Sequence, residues 1–190
     1  MIAFVSGGAR SGKSRHAEGL ARQWQAAGGG ELVYLATARA ADAEMAARIA
    51  RHRRERGAGW HTLEVPLALD SALAEVGVGN TVLLDCLTLW SSQWLYAGGG
   101  REAEGEALLA RVIEVARARD IALVVVSNDL NEDIPPTDAE TWRYLAFLQR
   151  LHRQLAREAD RVIEVVAGMA LEWKAIDRQP SGERDVETRR

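Results

Sequence analysis

The run Gly7-Gly8-Ala9-Arg10-Ser11-Gly12-Lys13-Ser14 fits G-x-x-x-x-G-K-[ST], a spacing of residue types suited to gripping a chain of phosphates. Glycines let a backbone wrap an anion with its N–H groups converging, and a helix that starts at the end of such a loop adds unpaired donors and a positive dipole end. Lys13 is expected to reach the β- and γ-phosphates and to act catalytically there. Ser14 is expected to hold Mg²⁺ through its hydroxyl, which calls for a second oxygen ligand. Asp85, closing the apolar run Val82-Leu83-Leu84, is the candidate; its other reading is a turn residue at a strand end. Chance would produce the loop pattern in roughly one chain in a hundred of this length. The preceding apolar Ile2 to Val5 and the amphipathic stretch that follows supply the strand and helix it requires.

A second concentration of chemistry surrounds His52. On a helix it follows Ile49 by three residues and Met45 by seven, so the three share one face, expected to turn toward the body. Arg48, Arg51, Arg53, Arg54 and Arg56 flank it. Their charges would disfavour imidazolium, keep a nucleophilic nitrogen available and stabilise a triphosphate attacked at its α-phosphorus. The competing reading is a solvated basic face around a histidine held by the backbone. Ala36, Thr37 and Ala38 follow an apolar strand, where nucleotide-contacting loops of parallel sheets lie, though a plain loop reads the same way. Of the remaining histidines, His16 belongs to the turn after the loop, and His61 and His152 are read as solvent-facing.

These groups need a scaffold. Ile2–Val5, Leu32–Ala36, Val82–Leu84, Ile121–Val126 and Val162–Val166 are runs rich in aliphatic and β-branched residues, mostly without polar alternation, the pattern of buried parallel strands, and Trp60–Val65 adds a further strand. Helical stripes separate them: Ala17, Leu20, Ala21 and Trp24; Leu108, Leu109, Val112, Ile113 and Ala116; Leu145, Leu148, Leu151 and Leu155. The expectation is an α/β fold in three layers, a P-loop NTPase with a RecA-like, mostly parallel sheet covered by helices on both faces. Gly28-Gly29-Gly30, Gly98-Gly99-Gly100 and Pro135-Pro136 mark loops.

The chain has 190 residues, 47% of them hydrophobic, which suits one domain, read as residues 1–176 with a charged tail at 177–190. A net charge of −3 with mixed signs gives no long-range pull toward nucleic acid or anionic lipid. Cys86, the single cysteine, is read as a small core residue, and no run suits a secretion signal or a membrane span, so a soluble cytoplasmic protein is expected. No cysteine–histidine spacing suggests structural zinc.

A regulatory GTPase needs N-K-x-D and D-x-x-G; neither occurs. A RecA-like NTP-hydrolysing protein that drives a partner and a small-molecule kinase both keep the same loop and acid. Five ordered stretches separate them: Gly7 through Glu18, Tyr34-Leu35-Ala36-Thr37-Ala38, Glu44 through Arg53, Gly59-Trp60-His61-Thr62-Leu63-Glu64 and Leu84-Asp85-Cys86-Leu87-Thr88-Leu89-Trp90. Together they resemble the bifunctional adenosylcobinamide kinase and adenosylcobinamide-phosphate guanylyltransferase family of cobalamin biosynthesis. The resemblance implies phosphorylation of adenosylcobinamide by ATP or GTP, then transfer of GMP from GTP through a covalent guanylyl-histidine, with His52 at the matching position. It extends the nucleotide site to Arg53, Arg54, Glu55, Arg56 and Glu64, a carboxylate able to accept from both N–H groups on guanine's edge. It also implies a corrinoid substrate and a homotrimer. The chain departs from the family pattern at Leu130 to Pro136 and, in the next helix, at Leu145-Ala146-Phe147 and Arg153-Gln154. The pattern returns at Ala159-Asp160-Arg161-Val162, Val165-Val166-Ala167-Gly168 and Lys174.

Overall fold

A computed structural model describes residues 1–38, 42–130 and 137–176, with the side chains of Arg48 and Glu55 not included. The expected loop at Pro135-Pro136, most of the divergent 130–136 segment and the 177–190 tail therefore lie outside the described residues.

The order is β1 (Ile2–Gly7), α1 (Lys13–Gly28), β2 (Leu32–Ala36), α2 (Ala43–Arg56), β3 (Trp60–Glu64), α3 (Leu69–Glu75), β4 (Thr81–Asp85), α4 (Leu87–Ser92), a π-helical turn (Gln93–Ala97), α5 (Glu102–Ala118), β5 (Ala122–Asn128), α6 (Ala139–Glu158), β6 (Arg161–Val166) and β7 (Met169–Ala175). All strands join one sheet in the order β3-β2-β4-β5-β1-β6-β7, parallel except for β7 at the edge.

Alternation along the strands builds two cores. Ile2, Phe4, Val33, Leu35, Val82, Leu84, Leu123 and Val125 face a layer made by α3 to α6, whose buried contributions include Leu109, Val112, Phe147 and Leu151. Ala3, Val5, Leu32, Tyr34, Leu83, Val124 and Val126 face α1, which presents Ala17, Leu20, Ala21 and Trp24. The three helical stripes read from sequence are thus the buried ones, with one change. In α6, Phe147 is fully buried while Leu145 is only half-buried.

Strand β7 was not resolved by period, because its burial pattern is exposed at nearly every position. It exists by pairing with β6. Lys174 Nζ, from this strand, donates to the carbonyls of Ala156 (3.3 Å) and Arg157 (2.8 Å) and so satisfies the last turn of α6. Met169, Leu171 and Trp173, spaced by two, leave an apolar row on this edge, with Trp173 71% exposed.

Candidate nucleotide site

The C-terminal edge of the sheet gathers the candidates. Register aligns Glu64, Ala36, Asp85, Val126 and Val5 in one row across β3, β2, β4, β5 and β1. The loop leaving β1 and the acid ending β4 are therefore not on neighbouring strands: β5 lies between them, and Asn128 pairs in register with Gly7.

The loop is shaped to exclude side chains from its inner wall. A Cβ on Gly7 would sit 2.4 Å from the Val165 carbonyl oxygen and 2.7 Å from Ser11 Oγ. Gly12 holds φ +93°, a left-handed value that glycine adopts without strain, and α1 opens after it with no side-chain cap. The Gly168 amide donates to the Ser11 carbonyl at 2.8 Å, tying the loop to the β6–β7 turn. Ser11 Oγ is buried and meets no hydrogen-bond partner among the described residues. An orphaned hydroxyl inside a glycine-walled concavity fits an anion that would accept from it.

Lys13 is 8% exposed, and its Nζ donates to the Gly8 carbonyl at 3.0 Å. Burial lowers its pKa, and the negative charge of Asp85 opposes that shift, so ammonium and carboxylate share one electrostatic neighbourhood. Parity puts Asp85 on the α1 side of the sheet with Leu83, the side on which Ser14 begins its helix. A serine hydroxyl and one carboxylate are hard oxygen donors, too few for a protein-only cage. Mg²⁺ takes such sites when phosphate oxygens and water complete its shell, so the donor set fits that ion.

Neighbouring contacts fix the two strand ends. Thr37 is fully buried; its Oγ1 donates to the Cys86 carbonyl and accepts from the Cys86 amide, both at 3.0 Å, while Gln93 Nε2 donates to the Thr37 carbonyl at 2.7 Å. Ala36 and Ala38 are half-buried beside it. Cys86 itself is half-buried rather than a core residue, and burial pushes its thiol up to about 11, so it stays protonated. It is the N-cap residue of α4, at the end of β4, with no side-chain capping bond.

Sequence reasoning missed Tyr34. Its hydroxyl donates to Asp85 Oδ2 at 2.9 Å, and burial followed by the charge of Asp85 raises its pKa far above the ordinary value, so the donor proton stays in place. Arg56 lies over the same ring, its guanidinium carbon 3.3 Å from the centroid. Arg56 is only 7% exposed and its Nε has no hydrogen-bond partner among the described residues. A tyrosine in an otherwise aliphatic buried strand must find a partner for its hydroxyl, and that was the available signal.

Helix α2 corrects one expectation. Asp42 caps it by accepting from the Met45 amide at 2.7 Å. Met45 and Ile49 are half-buried, but His52 is exposed, as are Arg51, Arg53 and Arg54. Residues 45, 49, 52 and 56 share one stripe of α2, as their spacing predicts. The body covers Arg56 and, in part, Met45 and Ile49, but leaves His52 exposed, so His52 is not turned into the protein. Glu64 is also exposed, two strands from Asp85 in the shared row.

His152 is corrected as well. It is not a solvent-facing residue: Nε2 lies 2.7 Å from Ser127 Oγ, and its ring sits 5.1 Å from that of Phe4. Ser127 Oγ is 2.8 Å from Thr88 Oγ1, which accepts from the Asn128 amide at 2.7 Å. The helix face carrying Leu148, Leu151 and Leu155 reaches far enough around to half-bury it. Burial lowers its pKa from 6.5 to about 4, with Asp129 pulling weakly the other way. Above pH 6.5 both folded and unfolded states hold this imidazole neutral. As pH falls toward 4 the unfolded chain takes a proton that the folded protein refuses, so stability drops, by roughly 2 kcal/mol between pH 7.5 and 5. Urea midpoints at those two pH values measure it, and His152→Gln is expected to remove that share of the slope.

A strand, a glycine-walled loop, a helix beginning at its lysine, and a carboxylate ending the strand next but one define a P-loop NTPase. Solved structures agree on the fold. The KaiC-like protein PH0186 from Pyrococcus horikoshii aligns with TM-score 0.53 and 10% identity over 93% of this chain and 79% of that one. The flagellar accessory protein FlaH from Methanocaldococcus jannaschii aligns with TM-score 0.52 and 11% identity over 92% and 78%.

The family described as cobinamide kinase / cobinamide phosphate guanyltransferase matches residues 3–173, and the chain belongs to it. It is 40% identical over 174 residues to the bifunctional adenosylcobalamin biosynthesis protein CobP of Pseudomonas aeruginosa, covering 90% of this chain and 96% of that protein. It is 32% identical over 186 residues to the bifunctional protein CobU of Escherichia coli, covering 92% and 100%. Among the described residues no helix is long and apolar enough to cross a membrane.

Proposed function

We propose that this protein phosphorylates adenosylcobinamide with ATP or GTP and then transfers GMP from GTP to the phosphate it has made. In the first reaction the hydroxyl oxygen of the aminopropanol arm attacks the γ-phosphorus, the bond to the β–γ bridging oxygen breaks, and the nucleoside diphosphate leaves as the hydroxyl proton goes to solvent. Lys13 neutralises charge on the phosphates, and the loop amides hold them in line. In the second, a ring nitrogen of His52 attacks the α-phosphorus of GTP, a phosphorus–nitrogen bond forms, and pyrophosphate departs with the bridging electron pair. The phosphate of the corrinoid then displaces the histidine, giving adenosylcobinamide-GDP. Mg²⁺ bound at Ser14 and Asp85 would supply charge neutralisation on the phosphates.

Arg53, Arg54, Glu55, Arg56, Ala36, Thr37, Ala38 and Glu64 complete the nucleotide site in this reading, Glu64 facing the guanine edge. The exposed Met169, Leu171 and Trp173 on β7 support assembly with further copies of the chain; the number three, a trimer, comes from the family resemblance alone. The observation that carries the reading is the shared environment of Lys13 and Asp85 beside an orphaned loop hydroxyl, in a member of this family.

GTP labelled on its α-phosphate tests the guanylyl half. After denaturation the protein is expected to retain an acid-labile, base-stable adduct; an unlabelled protein rejects guanylyl transfer through histidine. γ-Labelled ATP and GTP, each offered with adenosylcobinamide, test the kinase half, and an unlabelled corrinoid rejects it.

A further inference from the structure

Tyr34 touches both the acid ending β4 and the helix that bears His52. Its hydroxyl occupies Oδ2 of Asp85 at 2.9 Å. Its ring carries the guanidinium of Arg56, the last residue of α2, at 3.3 Å. The ring is itself held edge-on by Trp60 of β3, with centroids 6.2 Å apart and planes at 86°. Tyr34 is 8% exposed and Arg56 7%, so neither contact is a loose surface arrangement. Arg22 of α1 reinforces the same corner: its guanidinium donates to the carbonyls of Arg56 (2.9 Å) and Ala58 (3.2 Å).

We infer that Tyr34 is a positioning residue with two separable duties: its hydroxyl fixes the Asp85 carboxylate, leaving Oδ1 for a metal ion, and its ring anchors the C-terminal end of α2 through Arg56. The first duty rests on the reading of Asp85 as a ligand of Mg²⁺. Partners that orient a ligating carboxylate typically change metal affinity or activity by about 10–100-fold when removed. A guanidinium stacked on an aromatic face with little solvent holds its place by the ring quadrupole, an attraction that phenylalanine retains and leucine does not. The two substitutions therefore divide the duties. Tyr34→Phe removes the hydroxyl and keeps the platform; Tyr34→Leu removes both.

Two measurements on the full chain read them. The first is the dissociation constant of Mn²⁺, as a stand-in for Mg²⁺, from the complex with a non-hydrolysable GTP analogue, followed by the electron paramagnetic resonance of free Mn²⁺. Both variants are expected to weaken it about tenfold or more. The second is amide exchange across residues 52–57 in metal-free protein. Tyr34→Leu is expected to speed it at least about tenfold, while Tyr34→Phe leaves it as in wild type. Asp85→Asn is the reference: if it binds Mn²⁺ like wild type, Asp85 is not a ligand and the first duty falls with it. If Asp85→Asn weakens the metal and Tyr34→Phe does not, the role of the hydroxyl is wrong while the metal site stands. If Phe and Leu leave exchange equally unchanged, or speed it equally, the ring is not the anchor. Melting temperatures of both variants identify any general loosening, which would raise exchange throughout the sheet rather than at α2 alone.

Discussion

His52→Ala is expected to lose covalent attachment of GMP, by at least about 10³-fold in the rate of adduct formation, while phosphate transfer to adenosylcobinamide continues. The expectation has a structural basis beyond the identity of the residue. His52 is exposed on α2, so its removal opens no cavity, and surface substitutions of this kind usually change stability by less than about 0.5 kcal/mol. The melting temperature should therefore stay where it is, and a lost adduct cannot be ascribed to unfolding. Measuring both half-reactions on one preparation provides the check. Retention of the α-label by His52→Ala sinks the assignment of the nucleophile, whatever else carries the label.

Lys13→Met is expected to fail differently, depressing both half-reactions by about 10²–10³-fold or more in kcat/KM. Methionine suits the test because the lysine stem is buried, with only 8% of the residue exposed, and a long unbranched side chain keeps that packing. What is lost is the cation that shares its surroundings with Asp85. If one loop holds the triphosphate for both reactions, the two losses must move together. Damage to the kinase alone, with the α-label intact, would mean that GTP for guanylyl transfer is held elsewhere.

The fold was legible where burial is complete. Strands β1, β2, β4 and β5 and three helical stripes could be read because strands covered on both faces lose their polar alternation and helices seated on them keep a clean apolar stripe, while β3 and β6 showed through their residue types although only partly covered. Strand β7 escaped because an edge strand with both faces largely in solvent leaves no periodic trace. In the candidate site, Gly7 to Ser14 and Asp85 could be proposed from sequence because their chemistry is tied to short-range spacing and to strand ends. His152 was misread because its partner, Ser127, lies 25 positions away on another element, and a histidine flanked by Leu151 and Arg153 looks the same whether buried or not. The orientation of His52 was misjudged for a related reason. Periodicity states which residues share a side of a helix, but not how far along the helix the body continues to cover it.

The strand inserted between β1 and β4 sets the distance between the glycine loop and Asp85. Two inter-strand steps, about 9.6 Å in all, separate the loop from the acid, where adjacency would allow about half that. The narrower gap would press an ammonium, a phosphate and a divalent ion into the span of a single hydrogen-bonded ladder. In the proposed reading the wider one leaves room for a triphosphate over the tip of β5. The backbone N–H of Asn128, the last residue of β5, donates to Thr88 Oγ1 at 2.7 Å, so the strand tip between loop and acid is tied down from the α4 side.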